Sequence, residues 1–155
     1  MFFRDKTVFV AGGNGFLGRS LVTKLKAQGA IVSFPSSNQC DLTNKEESNK
    51  FFATVNPEIV INAAGYLGGI NFSRLFPADV FMKNTLINCN IISACATHKV
   101  SKLVNVGSAC LYSDELSGPF REIELTKGPM HSSVKYYGFS KLVQIFGADA
   151  FREQY

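Results

Sequence analysis

TVFVAGGNGFLG, residues 7–18, is an apolar run that leads directly into closely spaced glycines. The run at residues 7–11 predicts a strand buried on both faces, and the residues from Gly15 onward predict a helix that Gly29 ends. Glycines 12, 15 and 18 allow a tight turn and a close approach to a phosphate, while the helix N-terminus supplies N–H donors. With strand and helix on either side, the loop predicts dinucleotide binding over an ordinary glycine turn.

Short apolar runs and helical stretches alternate along the rest of the chain. Further strands are predicted at residues 30–34, 58–62 and 102–106. Further helices are predicted at residues 44–55, 77–98 and 133–152. This order predicts an α/β fold in one domain, residues 1–155, with a doubly wound parallel sheet. Its ligand is expected beyond the carboxyl ends of the strands.

Three local details accompany this prediction. Leu17, Leu21 and Leu25 repeat every four residues and mark the inner face of the first helix. Thr43 or Asn44 caps the second helix. Residues 65–76 are glycine-rich and are predicted to form a loop.

The composition excludes several classes of protein. With 46% hydrophobic and 18% charged residues, the chain is neither a disordered tail nor a coiled coil. No apolar stretch reaches the roughly 18 residues of a membrane span. The net charge of +4 is scattered, which suits an anionic small molecule and argues against nucleic acid. No secretory leader is visible and the four cysteines are irregularly spaced, so a cytoplasmic protein without a metal site is expected.

The choice between NADP and NAD is expected to depend on the end of the second strand. An acid there would bind a ribose 2′-hydroxyl and a base would bind a 2′-phosphate. The segment at residues 35–38, PSSN, has neither, and the hydroxyls of Ser36 and Ser37 favour NADP, with NAD as the alternative. Asp41 and Leu42 are candidates for contact with the adenine, although Asp41 is equally suited to a turn or a cap.

Tyr137 and Lys141 lie four residues apart, on one face of the last predicted helix. A cation beside a phenol lowers its pKa, so that the pair can move a proton to or from a carbonyl oxygen while hydride is transferred. Tyr136 competes for this role, but the residue four positions after it is Ser140. Ser108 ends the fourth strand, where its hydroxyl could orient the substrate oxygen or simply close a turn.

Asn84 is predicted to lie on the buried face of its helix, together with Val80, Ile87 and Ile91. A buried amide must find hydrogen-bond partners. Asn84 therefore either ties its helix to a strand or holds the catalytic helix in register.

With these residues assembled, the chain resembles the extended short-chain dehydrogenase/reductase superfamily, also called the NAD-dependent epimerase/dehydratase family. The shared features are the glycine loop, the NAAG segment at residues 62–65, Ser108, Tyr137 and Lys141. The narrower likeness is to the GDP-L-fucose synthase family of GDP-4-keto-6-deoxy-D-mannose epimerase/reductases. It rests on LGGI at 67–70, PAD at 77–79, Asn84 and GSACLY at 107–112. This resemblance implies a Rossmann-type sheet.

The resemblance also implies a set of site residues. Ser108, Tyr137 and Lys141 match the family's reductase triad, and Cys110 matches a cysteine proposed as acid/base in epimerisation, with a small buried hydrophobe as the alternative. The implied cofactor-binding residues are Gly12, Asn14, Gly15, Phe16, Leu17, Gly18, Ser36, Ser37, Asp41, Leu42, Ala63, Ala64, Gly65, Asn84, Tyr137 and Lys141.

The chain departs from that family in extent. The family's epimerisation histidine and its nucleotide-sugar-binding C-terminal domain lie beyond the residues present here, and neither His98 nor His131 replaces that histidine. The resemblance therefore implies a truncated cofactor-binding half of a GDP-sugar epimerase/reductase, with little or no turnover alone and homodimeric through the Asn84 and Tyr137 helices. The alternatives are a non-catalytic dinucleotide-binding module and a sibling enzyme such as a UDP-sugar 4-epimerase.

Overall fold

The computed structural model describes residues 2–155. Within them, one parallel sheet contains β1 (Thr7–Ala11), β2 (Ile31–Ser33), β3 (Ile59–Asn62) and β4 (Lys102–Asn105), in the order β2-β1-β3-β4. The helices are α1 (Phe16–Ala27), α2 (Lys45–Val55), α3 (Ile70–Leu75), α4 (Pro77–Thr97) and α5 (Lys135–Gln154). Short 3-10 turns lie at Ala109–Leu111 and Glu122–Glu124. The predicted parallel α/β fold is confirmed.

The ends of the helices follow from single residues. Gly29, with a φ of +84°, follows the end of α1 in a left-handed conformation. Asn44 caps α2, because its side chain accepts from the backbone N–H groups of Glu46 and Glu47. Of the two predicted caps, Thr43 and Asn44, the structure therefore selects Asn44. Proline at the first position of α4 gives up no helical hydrogen bond.

One local prediction is wrong, and another is right only in part. Residues 65–76 are not all loop, because α3 forms within them. The inner face of α1 is formed by Gly18, Val22 and Leu25, whereas Leu17 is 44% exposed. Leu21 is half-buried beside the core. Gly18 of α1 faces the loop after β1, because only a glycine permits so close an approach to its backbone.

The core has two parts, one on each face of the sheet. Val8 and Val10 pack with Val22 and Leu25 of α1. On the opposite face, Phe9 and Val60 belong to a cluster that includes side chains of α2 and α4. α5 packs along α4. Helices therefore cover both faces, as the sequence predicts.

The register aligns the ends of three strands. Ala11 of β1 pairs with Asn62 of β3, which pairs in turn with Asn105 of β4. Since the strands are parallel, Gly12, Ala63 and Val106 leave the sheet at one common edge. The predicted site residues follow these positions.

Two further properties concern the described part of the chain only. None of the helices within residues 2–155 combines the length and the apolar character of a bilayer span. Over the same residues, no three His, Cys, Asp or Glu side chains come close enough together to hold a metal ion.

Candidate nucleotide and catalytic site

The glycine loop is held directly against the loop that follows β3. Gly12 has a φ of +74°, and a Cβ atom there would lie 2.7 Å from the carbonyl oxygen of Ala63. A Cβ atom on Gly18 would overlap the carbonyl oxygen of Gly12. The loop therefore leaves no room for side chains at these two positions, in agreement with the tight turn that the glycine spacing predicts.

The N-terminus of α1 is open for an anion. Gly15 caps the helix without a side chain, and the first turn contains no acidic residue. The N–H groups of the first turn have no partner within a helix, and the helix dipole places partial positive charge there. This end of α1 is thus suited to a pyrophosphate.

A cleft of about 670 Å³ opens beside this loop, and we call it the glycine cleft. The predicted cofactor-binding residues that line it are Gly12, Asn14, Gly15, Ser36, Ser37, Asp41, Leu42, Ala64 and Gly65. The predicted residues that lie outside its lining are Phe16, Leu17, Gly18, Ala63, Asn84, Tyr137 and Lys141. Phe16 is 93% exposed, so its side chain points away from the fold.

The segment that follows β2 forms the polar wall of the glycine cleft. The backbone N–H and the hydroxyl of Ser36 both donate to Oε1 of Gln39, at 2.9 and 3.1 Å. The side chain of Ser37 is exposed. Asp41 accepts from the backbone N–H of Thr43 at 2.9 Å and from its hydroxyl at 2.7 Å. Asp41 thus makes the turn contacts that were one of its two predicted roles.

Sequence reasoning missed Lys83 and Tyr66, which also line the glycine cleft. Lys83 supplies the one basic side chain of that lining, and its Nζ lies 4.2 Å from the centre of the Tyr66 ring. Asn84 fixes this pair, because its amide accepts from the backbone N–H of Tyr66 and donates to the Tyr66 carbonyl, both at 2.9 Å. The clue in the sequence was the position of Lys83 next to the buried Asn84.

The second group of predicted residues lies where β4 ends, and we call it the Tyr–Lys corner (Ser108, Cys110, Tyr137 and Lys141). Lys141 is only 3% exposed. Its Nζ donates to the carbonyl oxygen of Val106 at 3.0 Å and to Oε1 of Gln144 at 2.9 Å. Burial lowers the pKa of Lys141 to about 8.

The pKa of Tyr137 differs from the prediction. Burial, with a smaller contribution from Cys110, raises the pKa of Tyr137 above its ordinary value of 10.0. The prediction that Lys141 lowers this pKa is wrong for this geometry. The Lys141 ammonium lies 5.8 Å from the centre of the Tyr137 ring and is bonded to Val106 and Gln144.

Packing brings the rest of the corner together. The Ser108 hydroxyl accepts from the backbone N–H of Cys110 at 3.2 Å and so caps the 3-10 turn at Ala109–Leu111. α5 lies directly on this turn, since a Cβ atom on Gly138 would come within 2.5 Å of the Cys110 carbonyl oxygen. Ser108 therefore performs the turn-closing role, and its contact with a substrate stays a prediction.

The two groups of residues meet at Gly65. Gly65 lines the glycine cleft, and a Cβ atom placed there would lie 3.9 Å from the Tyr137 hydroxyl and 3.7 Å from Oδ1 of Asn84. The Tyr137 hydroxyl therefore lies next to the lining of the glycine cleft. A ligand that extends from α1 past Gly65 would reach Tyr137.

A buried amide network supports this corner. Asn62 donates to Oδ1 of Asn88 at 3.0 Å and to Oδ1 of Asn105 at 3.3 Å. Asn88 donates to the backbone carbonyl of Ser140 at 2.9 Å, and Asn105 donates to that of Gln144 at 3.3 Å. The network thereby attaches α5 to α4 and β4 at two positions one helical turn apart, Ser140 and Gln144.

Comparison with known proteins finds relatives along nearly the whole chain. A model of the NAD dependent epimerase/dehydratase family matches residues 8–155. A GDP-L-fucose synthase of Sinorhizobium fredii is 33% identical over 97% of this chain and 48% of its own length. The chain spans about half the length of the curated relatives it matches.

Two solved structures are similar to the chain throughout. One is a GDP-D-glycero-L-gluco-heptose synthase from Campylobacter jejuni in the presence of NADPH, with a TM-score of 0.92 and 26% identity over 97% of this chain and 44% of that one. The other is a GDP-L-fucose synthetase from Naegleria fowleri bound to NADP, with a TM-score of 0.87 and 25% identity over 97% and 45%.

Proposed function

Because the chain belongs to the NAD dependent epimerase/dehydratase family, we propose that it is the cofactor-binding half of an NAD(P)-dependent GDP-sugar epimerase/reductase similar to the GDP-L-fucose synthases. The observation that carries this proposal is the position of Gly65, which lines the glycine cleft and lies next to the Tyr137 hydroxyl of the Tyr–Lys corner. A dinucleotide held along the cleft would end beside the Tyr137 hydroxyl.

The residues present fit a dinucleotide. The absence of side chains at Gly12 and Gly18 and the open N-terminus of α1 suit its pyrophosphate. Lys83 adds a positive charge to the lining of the cleft. Ser36 and Ser37 both line the cleft. The Ser36 hydroxyl donates to Gln39, so the exposed Ser37 hydroxyl is the one available to a 2′-phosphate, and NADP is the preferred cofactor with NAD as the alternative. The two solved relatives named above were determined with NADPH or NADP.

The chemistry we propose is reduction of a sugar ketone. A reduced nicotinamide bound in the cleft would supply the hydride. Tyr137 donates the proton to the carbonyl oxygen, and its raised pKa keeps the phenol protonated before the reaction. Ser108 orients that oxygen, and Lys141 binds a ligand hydroxyl with its ammonium.

Cys110 is proposed as the acid/base of epimerisation. It lies half-buried on the turn under α5 and is close enough to Tyr137 to affect its pKa. A thiol at this place can exchange a proton with the carbon next to a ketone, which is the step that epimerisation requires.

A homodimer is part of the proposal. α4 and α5 expose an apolar groove of about 740 Å³. Its lining residues are Pro77, Ala78, Phe81, Tyr136, Phe139, Leu142, Val143 and Phe146. Such a surface is suited to the same surface of a second copy. Light scattering should give twice the mass of one chain, and a single-chain mass would remove this part of the proposal.

We further propose that the protein is cytoplasmic. All four cysteines are free thiols. Burial raises the pKa of Cys40 to about 11 and that of Cys95 to about 12, so both stay protonated. Free thiols are typical of proteins in a reducing compartment.

The test begins with titration of the 155-residue chain with NADPH and with NADH, followed by nucleotide fluorescence. Saturable binding, tighter for NADPH, is expected. Failure of both nucleotides to bind would overturn the proposal.

The second step asks whether the bound nucleotide reacts. With excess chain and GDP-4-keto-6-deoxymannose, we expect slow oxidation of NADPH, because the chain spans only about half the length of its relatives. Tyr137→Phe should abolish this oxidation and keep NADPH binding, whereas Tyr155→Phe, at the exposed end of α5, should change neither. Equal oxidation by the Tyr137→Phe chain would leave a binding module instead of an enzyme.

A further inference from the structure

Lys141 is a buried cation whose hydrogen-bond partners, the Val106 carbonyl and the Gln144 side chain, are neutral. The ion pairs found within residues 2–155 join Lys6 to Glu58 and Arg152 to Asp149, so Lys141 belongs to neither. Its ammonium is bonded to the Val106 carbonyl and to the Gln144 side chain. A buried ammonium without a carboxylate depends on the geometry of such neutral acceptors.

Gln144 is built into this site. It is 1% exposed and lies on α5 one turn after Lys141. Its Oε1 accepts from Lys141 at 2.9 Å, and its Nε2 donates to the Val106 carbonyl at 3.4 Å. The reverse orientation of the amide would turn its NH₂ group toward the ammonium, so the charge of Lys141 selects the orientation observed.

The backbone of Gln144 is fixed as well. Its carbonyl oxygen accepts from Asn105, which is joined to Asn62 in the amide network. The side chain and the main chain of one residue are thus tied to β4, Val106 and Lys141. This is more than packing requires, because an apolar residue would fill the same space without burying an amide.

We propose that Gln144 is a positioning residue that holds the Lys141 ammonium against the Val106 carbonyl and leaves its third N–H free for a ligand hydroxyl. The inference rests on the proposed function and goes beyond it, since Gln144 is assigned no role by the likeness to the family. A neutral acceptor orients the ammonium without neutralising it, whereas a carboxylate would form an ion pair and compete with the ligand.

The titratable groups that surround Lys141 are few. Tyr137 lies one turn earlier on α5, and Cys110 lies on the adjoining 3-10 turn. Burial alone accounts for the lowered pKa of Lys141, with no acidic side chain contributing. A change of one neighbouring acceptor should therefore be visible in the titration of this lysine.

The experiment measures the pKa of Lys141 by NMR of the intact chain with ¹⁵N-labelled lysine, the Lys141 signal being identified by its loss in Lys141→Met. Gln144→Glu should raise this pKa by about one unit or more, because it places a carboxylate beside the ammonium. Gln144→Met should lower it by about one unit, because the charged form loses an acceptor. Circular dichroism checks that each variant folds.

Gln154→Glu and Gln154→Met, at the exposed end of α5, are the matched controls and should leave the pKa of Lys141 unchanged. If Gln144→Met fails to fold, Gln144→Glu still decides the matter. An unchanged pKa in the folded Gln144 variants would overturn the inference, since a residue that only packs would have no such effect.

NADPH titration of the same variants separates this inference from the proposed function. We expect Gln144→Met to weaken NADPH binding about tenfold, the equivalent of one hydrogen bond to a charged group. Shifted pKa values in a chain that never binds NADPH would support the link between Gln144 and Lys141 while overturning the proposed function. NADPH binding by the unaltered chain, with an unshifted pKa in the variants, would overturn the Gln144 inference alone.

Discussion

The glycine cleft and the Tyr–Lys corner lie at the same edge of the sheet, but they are built differently. The cleft is shaped by main chain: Gly12 and Gly18 have no room for a side chain, and α1 offers its backbone N–H groups. The corner is shaped by buried polar side chains, of which Lys141 and Gln144 are almost fully enclosed. One region depends on space and the other on hydrogen-bond partners.

This difference predicts how each region responds to change. In the cleft, an added methyl group must move backbone, while exposed polar residues such as Ser37 are free to vary. In the corner, a lost amide leaves partners buried without a hydrogen bond, which costs more than the bond itself contributes. The following substitutions test that contrast, beginning with the largest effect.

Gly18→Ala should have the largest effect. The new Cβ would overlap the Gly12 carbonyl oxygen, and backbone cannot give way as a flexible side chain does. We expect a loss of about 3 kcal/mol in the free energy of unfolding, measured with urea, together with loss of NADPH binding. Ser20→Ala, exposed on the same helix, should change stability by less than about 0.5 kcal/mol. Equal stabilities of the two variants would mean that the cleft does not depend on space.

Asn88→Leu tests the corner at nearly constant volume. Asn62 would lose an acceptor and the Ser140 carbonyl would lose a donor, both of them buried. We expect a loss of about 2 kcal/mol in the free energy of unfolding, measured with urea. Asn71→Leu, on the exposed surface of α3, should cost less than about 0.5 kcal/mol. A fully stable Asn88→Leu would show that apolar packing, not the amide network, holds α5.

The same contrast explains what the sequence could predict. β1, the glycine loop and α4 depend on neighbours close in the chain, so the apolar run, the glycine spacing and Pro77 were sufficient. The prediction of Leu17 on the inner face of α1 was wrong, because Gly18 approaches the backbone of the glycine loop more closely than Leu17 could. α3 was missed because six residues are too few for a helical period to be recognised.

The residues of the corner could be predicted from the sequence, but their hydrogen-bond partners could not. Tyr137 and Lys141 follow from their spacing on one helix. The partners of Lys141 do not follow from the sequence, because Val106 is 35 residues away and Gln144 belongs to no recognised motif. The pKa of Tyr137 was predicted with the wrong sign for the same reason: the spacing shows that a lysine is near, but not that it is bonded elsewhere.

The smallest effect is expected at Ser37, on the polar wall of the glycine cleft. Its side chain is exposed, whereas that of Ser36 is already bonded to Gln39. Ser37→Arg should improve the ratio of NADPH to NADH affinity about tenfold, because a guanidinium pairs with a 2′-phosphate. Ser37→Asp should reverse that ratio by a similar factor through repulsion.

Stability should hardly change in either Ser37 variant, since neither fills a cavity nor breaks a buried bond. Ser20→Arg, on the exposed surface of α1, adds the same charge away from the wall and separates a local effect from a general attraction to the nucleotide. Equal shifts in Ser37→Arg and Ser20→Arg would mean that charge acts at long range. A shift confined to Ser37→Arg would locate the 2′-position beside this residue. Exposed side chains of the cleft would then set the preference between NADPH and NADH, while its backbone binds the part that both nucleotides share.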